Sequence, residues 1–144
     1  LNVHLTPHEE NYNARIKNLD DIFKKIANEI EGPVDFTFLV GDLNFRMEYM
    51  FNEKKRFNSL LSNENNRKLI KEFDQLSLFR KQPNNILHDF DEKQIKFSPT
   101  FKYQKLKNGM KYSKKVNPSF TDRILYKSSS STSVYCSEYD SLPY

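Results

Sequence analysis

Asp42 and Asn44, two residues apart behind Gly41, are the pair in this sequence best suited to chemistry. In an extended chain that spacing points both side chains the same way, so one face presents a carboxylate beside an amide. The carboxylate can take a proton from water or hold a hard cation, and the amide can donate to an oxyanion, a combination that suits hydrolysis. The same two residues also fit an Asx turn closing a strand, and spacing alone does not separate the readings. His4 is a second candidate: a short strand through Val3 and Leu5, ended by Pro7, sends it to the face opposite its apolar neighbours, in a catalytic or a merely structural role. A second polar constellation is Asn117-Pro118-Ser119-Phe120-Thr121-Asp122-Arg123.

These residues need elements to position them. Phe36, Phe38 and Val40 alternate with Asp35, Thr37 and Leu39, which reads as a buried strand running into Gly41 and the Asp-x-Asn pair. Ahead of it, Ile16, Leu19, Ile22, Phe23, Ile26, Ala27 and Ile30 recur at helical spacing from about Glu10, and Gly32-Pro33 ends the helix. A helix feeding straight into a strand predicts a helix layered on a sheet. Between Met47 and Pro83 helical spacing resumes in Phe57, Leu60 and Leu61, then in Leu69, Ile70, Phe73 and Leu76, with a possible cap at Ser62 and Asn63. Lys54-Lys55-Arg56 reads as solvated surface. Ile86, Leu87 and Phe90 mark a compact segment, and Ile95-Lys96-Phe97 reads as a short strand closed by Pro99. Phe101 and Tyr103 alternate around Lys102, Lys107-Asn108-Gly109-Met110 is a turn, Ile124 to Tyr126 gives another strand, and Ser128 to Ser133 is a serine-rich loop.

The chain has 144 residues, enough for one domain; 37% are hydrophobic, and twelve Phe can fill a core. The net charge of +4 favours anionic partners. Its distribution says more. From Lys93 to Thr121 there are eight lysines and no Asp or Glu, a block that either blunts a strand edge or meets an anion. The lone Cys136 rules out an internal disulfide framework and suits a reducing, cytosolic setting. No apolar run is long enough to span a bilayer. Leu1-Asn2-Val3-His4-Leu5 reads as the middle of a strand and not as a native start, so a targeting segment could precede it.

Val40-Gly41-Asp42-Leu43-Asn44-Phe45-Arg46 and Pro118-Ser119-Phe120-Thr121-Asp122-Arg123-Ile124-Leu125 resemble the two signatures of the inositol polyphosphate 5-phosphatase family, within the DNase I-like endonucleases, exonucleases and phosphatases. Asn2-Val3-His4-Leu5 with His8 and Arg15, Phe73-Asp74-Gln75-Leu76, and Phe97 to Tyr103 resemble the segments between and before them. The resemblance covers residues 1–144 as the later, C-terminal half of the catalytic domain, truncated at both ends. It implies an α+β fold, part of a four-layer α/β/β/α sandwich, and Mg²⁺-dependent hydrolysis of a 5-phosphate monoester by activated water. It assigns Asp42 to orienting or deprotonating that water, Asn44 to the phosphoryl oxygens, His4 to a transition-state contact, and Asp122 with Arg123 behind it to the same cluster. Lys102, Tyr103 and Lys114 fall where the family holds the neighbouring 4-phosphate, and Arg123 is expected among the substrate contacts. The glutamate that holds Mg²⁺ in the family lies upstream of this chain, and the family's Ser-Asp-His element downstream, so the segment alone is expected to be inactive. One departure stands out: Val116 occupies the place of an arginine that would grip phosphate bidentately, with Lys115 beside it.

The implied partner is a phosphoinositide lipid or a soluble inositol polyphosphate, with peripheral membrane contact in the cytoplasm; nucleic acid is not an expected partner. A nuclease of the same superfold, or a non-catalytic module binding anionic lipid or nucleic acid, would use the same basic surface.

Overall fold

The computed structural model describes residues 1–49, 54–62, 66–107, 109–129 and 133–142. Asn63 of the expected cap, Asn108 of the expected turn and residues 130–132 of the serine-rich loop lie outside them. A short strand β1 (Asn2–His4) leads through a single 3₁₀ turn (Glu9–Asn11) into helix α1 (Tyr12–Glu29), and then into strand β2 (Phe36–Asp42). Helices α2 (Lys54–Ser62), α3 (Asn66–Phe73) and α4 (Gln75–Arg80) follow; then come strands β3 (Tyr103–Leu106), β4 (Gly109–Tyr112) and β5 (Asp122–Ser128). Among the described residues two sheets result, a three-stranded one in the order β1-β2-β5 and a separate β3-β4 hairpin.

The helical run expected through Phe73 and Leu76 is broken at Asp74. That residue adopts an extended conformation, and its carboxylate accepts from the Ser77 N–H (2.9 Å), capping α4. Ile95-Lys96-Phe97 is not a strand: Ile95 and Phe97 are buried and Lys96 is exposed as alternation requires, but no ladder partner lies beside them among the described residues. Alternation reports which side chains are buried, whereas a strand also needs a neighbour for its backbone. Phe101 likewise precedes the hairpin and makes only an isolated bridge to Ser119.

β2 lies centrally, parallel to β1 and antiparallel to β5. Its odd-numbered face turns Leu39 onto a core that also holds Leu5, Leu19, Leu43, Phe45, Leu76, Phe79, Leu87, Phe90 and Leu125, with Ile16, Ile22 and Phe23 of α1 packed against it. A second core gathers Met47, Phe57, Leu69, Phe73, Ile95, Phe97 and Phe120. The reading of β2 as a buried strand is corrected for one of its faces. Phe36 and Phe38 are each 45% exposed, as is Ile124 on the neighbouring strand. Side chains alternate across a strand, and only the Leu39 face meets α1 in this chain.

Gly41 lets β1 approach. Its φ is +126°, and an added Cβ would land inside the Val3 carbonyl. On the buried face, the Arg123 guanidinium locks β5 to the helices. It donates to both Asp74 oxygens (3.1 and 2.9 Å) and, through Nε and Nη2, to Glu92 (2.6 and 2.7 Å). Burial by itself would lower the Arg123 pKa, but Asp74 and Glu92 outweigh it and hold the pKa well above its ordinary value.

Candidate active site

Strand register assembles the first part of the site. His4 pairs with Asp42, and Asp42 pairs with Asp122, so the three residues form one row across β1, β2 and β5 at the C-terminal end of β2. In the antiparallel pair, opposite residues share a face, which puts Asp42 and Asp122 on the side away from the core. His4 Nε2 lies 3.7 Å from Asp42 Oδ2. The other Asp42 oxygen accepts from the Asn44 backbone N–H at 2.9 Å.

That last bond is the Asx turn that spacing left open, and it changes the geometry expected of Asp42 and Asn44. Asn44 sits at φ +54°, so the chain is no longer extended and the two side chains do not stand in parallel. The Asn44 amide turns inward, donates to the Leu5 carbonyl at 3.0 Å and is 2% exposed. Turn and site coexist, because Asn44 still lines the same cleft as Asp42.

The cleft has a volume of about 580 Å³, and His4, Asp42, Asn44 and Lys102 face it, joined by His8, Glu9, Arg46 and Lys115. Arg46 is held rigidly. Its Nε donates to the Asn44 carbonyl (3.0 Å), its Nη2 to the Asn44 side-chain oxygen, and its guanidinium lies 4.0 Å from the centre of the Phe101 ring. Burial lowers its pKa, against the opposing pull of Asp42, but a guanidinium stays charged at neutral pH. Behind it, Gln75 Oε1 accepts from both the Arg46 N–H (2.9 Å) and Arg15 Nη2 (2.7 Å), while Arg15 Nη1 donates to the carbonyls of Thr6 and His8. One buried amide oxygen therefore ties the Asp-x-Asn turn to the loop after His4. Burial, reinforced by Glu48, raises the pKa of Glu9 on the cleft wall.

The remaining expected residues are placed differently. Asp122 accepts from the hydroxyls of Thr100 (2.9 Å) and Thr121 (3.1 Å) and lines an adjoining groove of about 680 Å³ with Thr100 and Ile124. Tyr103 stacks on Tyr112 at the base of the hairpin (4.6 Å), and its hydroxyl donates to that of Tyr112 (3.0 Å). Lys114 is exposed and is not among the residues lining the cleft, whereas its neighbour Lys115 is. Arg123, expected to meet substrate, has no exposed side-chain surface and is taken up by two carboxylates. Its place is structural, since odd positions of β5 face the core. Arg46 and Gln75 carried no role in the sequence reading. Their only signal was membership of two stretches that carry the family resemblance, Val40 to Arg46 and Phe73 to Leu76.

Among the described residues, no group of three or more His, Cys, Asp or Glu side chains is placed to hold a metal ion. Asp42 and Asp122 each commit one oxygen to a neighbouring donor, so they fit part of a magnesium shell and do not complete one.

The sequence profile described as Endonuclease/Exonuclease/phosphatase family 2 matches residues 1–144. The chain belongs to this family, the DNase I-like group that includes the inositol polyphosphate 5-phosphatases. Among its relatives in the family, inositol polyphosphate 5-phosphatase K of Mus musculus is 33% identical over 137 residues, which is 88% of this chain and 28% of that protein. A nitrophorin of Cimex lectularius is 35% identical over 112 residues, 78% of this chain and 34% of that protein. The chain thus spans about a third of the length of these curated relatives. The crystal structure of a synaptojanin inositol polyphosphate 5-phosphatase domain, in complex with inositol (1,4)-bisphosphate and calcium ion, superposes with a TM-score of 0.74. At 24% identity it covers 99% of this chain and 41% of that domain, and it establishes the shared α/β/β/α architecture. No helix among the described residues of this family member is long and apolar enough to cross a membrane.

Proposed function

We propose that residues 1–144 are the later half of the catalytic domain of a Mg²⁺-dependent inositol polyphosphate 5-phosphatase. Its substrate is a phosphoinositide or a soluble inositol polyphosphate, and water attacks the 5-phosphate. The observation that carries this reading is the shared cleft: a proton-accepting carboxylate, Asp42, faces the same cavity as the cations Arg46, Lys102 and Lys115. Kinship with a nitrophorin means that family alone does not decide the activity. An acid beside cations, one of them held in place as Arg46 is, is what phosphate hydrolysis needs.

In this mechanism Asp42, oriented by the Asn44 N–H, takes the proton of the attacking water. The Asn44 side chain is anchored by one N–H on Leu5 and offers its other N–H to the phosphoryl oxygens as charge builds there. His4, in the same row, contacts the phosphoryl or leaving oxygen. Asp122, held by Thr100 and Thr121, completes the row. Asp42 and Asp122 would form part of a Mg²⁺ shell that the family resemblance completes with a glutamate outside this chain, and the ion would supply neutralisation of the developing charge. Lys102, with Tyr103 and Lys114 near it, meets the 4-phosphate, and Lys115 stands in as a point charge beside Val116. The protein acts in the cytoplasm, at the surface of membranes.

The test is phosphate release by the full-length protein from phosphatidylinositol 4,5-bisphosphate and from a soluble inositol trisphosphate, with Mg²⁺ and with chelator. The expected result is Mg²⁺-dependent release, and Asp42→Asn should lower kcat by about 10² or more with little change in KM. Cleavage of plasmid DNA without release from either phosphate ester would replace this reading with a nuclease. Near-normal kcat in Asp42→Asn would remove Asp42 from the mechanism.

A further inference from the structure

We infer that the β3-β4 hairpin is a membrane-docking element whose tip enters the interface of an anionic lipid bilayer. The inference rests on the phosphoinositide reading for the orientation of the cleft. The docking itself stands on separate observations.

The hairpin is a two-stranded sheet whose strands pair only with each other among the described residues. An isolated ribbon is marginal in water, and the hydrogen bonds and ring contact that secure this one among the described residues lie at its base. There the Tyr103 and Tyr112 rings stack, the Tyr112 hydroxyl donates to the Pro99 carbonyl (2.9 Å) and the Ser113 N–H donates to the Lys102 carbonyl (2.8 Å). Beyond that base, every described residue from Gln104 to Lys111 is exposed. Two of them are large and apolar: Leu106 is 45% exposed and Met110 42%.

Single exposed apolar side chains need no explanation, and lysines often only protect a sheet edge. Their arrangement here is more specific. Register pairs Leu106 with Gly109 and Met110 with Lys105, so the two apolar residues lie on opposite faces at the distal end of the ribbon. Met110 lines a groove with Pro99 and Leu142 on one face, and both apolar residues still stand 45% and 42% open to a medium that meets the tip. Lys105, Lys107 and Lys111 flank the pair, within a stretch that contains no acid. Apolar residues at a tip with lysines around them match the interface of a bilayer, where acyl chains lie beneath anionic headgroups. Nucleic acid would use the lysines but gives Leu106 and Met110 nothing to enter.

The base of the ribbon is also a wall of the cleft, through Phe101 and Lys102 on one arm and Lys115 on the other. Four strand residues span roughly 14 Å. A tip seated at the headgroup boundary therefore holds the cleft at about the height of a lipid headgroup.

The experiment uses the full-length protein and phosphatidylcholine vesicles with and without about 30% phosphatidylserine. Leu106→Asp with Met110→Asp should weaken partitioning onto the anionic vesicles by about tenfold or more. Lys105→Glu with Lys107→Glu and Lys111→Glu should abolish the preference for phosphatidylserine. Leu106→Trp should strengthen partitioning, a gain that a misfolded variant cannot produce. Turnover of a soluble inositol polyphosphate should be unchanged in the Leu106 and Met110 variants. Unchanged partitioning in all three sets would overturn the docking role, as would lysine-dependent binding to duplex DNA that exceeds binding to vesicles. Loss of partitioning in a protein that hydrolyses no inositol phosphate would uphold the docking element and overturn the phosphatase reading instead.

Discussion

Replacing Arg123 by methionine keeps an apolar stem of similar length and removes four hydrogen bonds to two buried carboxylates. The Arg123 and Asp74 side chains have no exposure and that of Glu92 only 5%, so solvent cannot stand in for the lost cation. Breaking such a pair from one side costs about 3–5 kcal/mol, chiefly because a charge is left uncompensated. The geometry favours the lower figure. Glu92 keeps Arg80 Nη1 at 3.4 Å, and Asp74 keeps the Ser77 N–H and hydroxyl. The complete domain is about two and a half times as long as this chain, judged by the 41% covered in the synaptojanin domain, so each kcal/mol moves Tm by about 1–2 °C and 3 kcal/mol lowers it by roughly 3–6 °C. Calorimetry on the complete catalytic domain at neutral pH measures it. Adding Asp74→Asn should recover part of the loss, since the neutral amide still caps α4 and no longer needs a counter-ion. A Tm within about 2 °C of the parent would refute the reasoning and leave the network with no net contribution. An unchanged Tm with raised KM would return Arg123 to the substrate contacts.

Three further outcomes follow from the same geometry. Gly41→Ala should destabilise the domain by about 3 kcal/mol or more, read by denaturant titration, because the new methyl meets the Val3 carbonyl at a positive φ. Lys102→Ala and Lys115→Ala should reduce kcat/KM for a 4,5-bisphosphate more than for its analogue lacking the 4-phosphate, and more than Lys114→Ala does, because only the first two line the cleft; uniform losses across substrates and lysines would reduce them to general attraction. Residues 1–144 expressed alone should self-associate in analytical ultracentrifugation and release no phosphate with Mg²⁺, because Phe36, Phe38 and Ile124 form an uncovered sheet face; metal-dependent turnover by the segment would show the machinery to be complete within it.

The sequence alone determined the parts of this protein whose physics is local. Helical spacing from Ile16 to Ile30 marked α1, β-prone runs marked β2 and β5, and the Asp-x-Asn and Ser-Phe-Thr-Asp-Arg stretches marked where a site would lie. Those signals depend on which residues follow one another within a few positions. Tertiary structure decided what those runs would face. Alternation in β2 was equally consistent with burial of either face, and only packing against α1 chose Leu39 over Phe38. Strand register, fixed by residues more than thirty positions apart, placed His4, Asp42 and Asp122 in one row and turned Arg123 inward between Asp74 and Glu92. A motif lists Asp122 and Arg123 as neighbours, but a strand sends consecutive side chains to opposite faces, so one was left at the site and the other became part of the core.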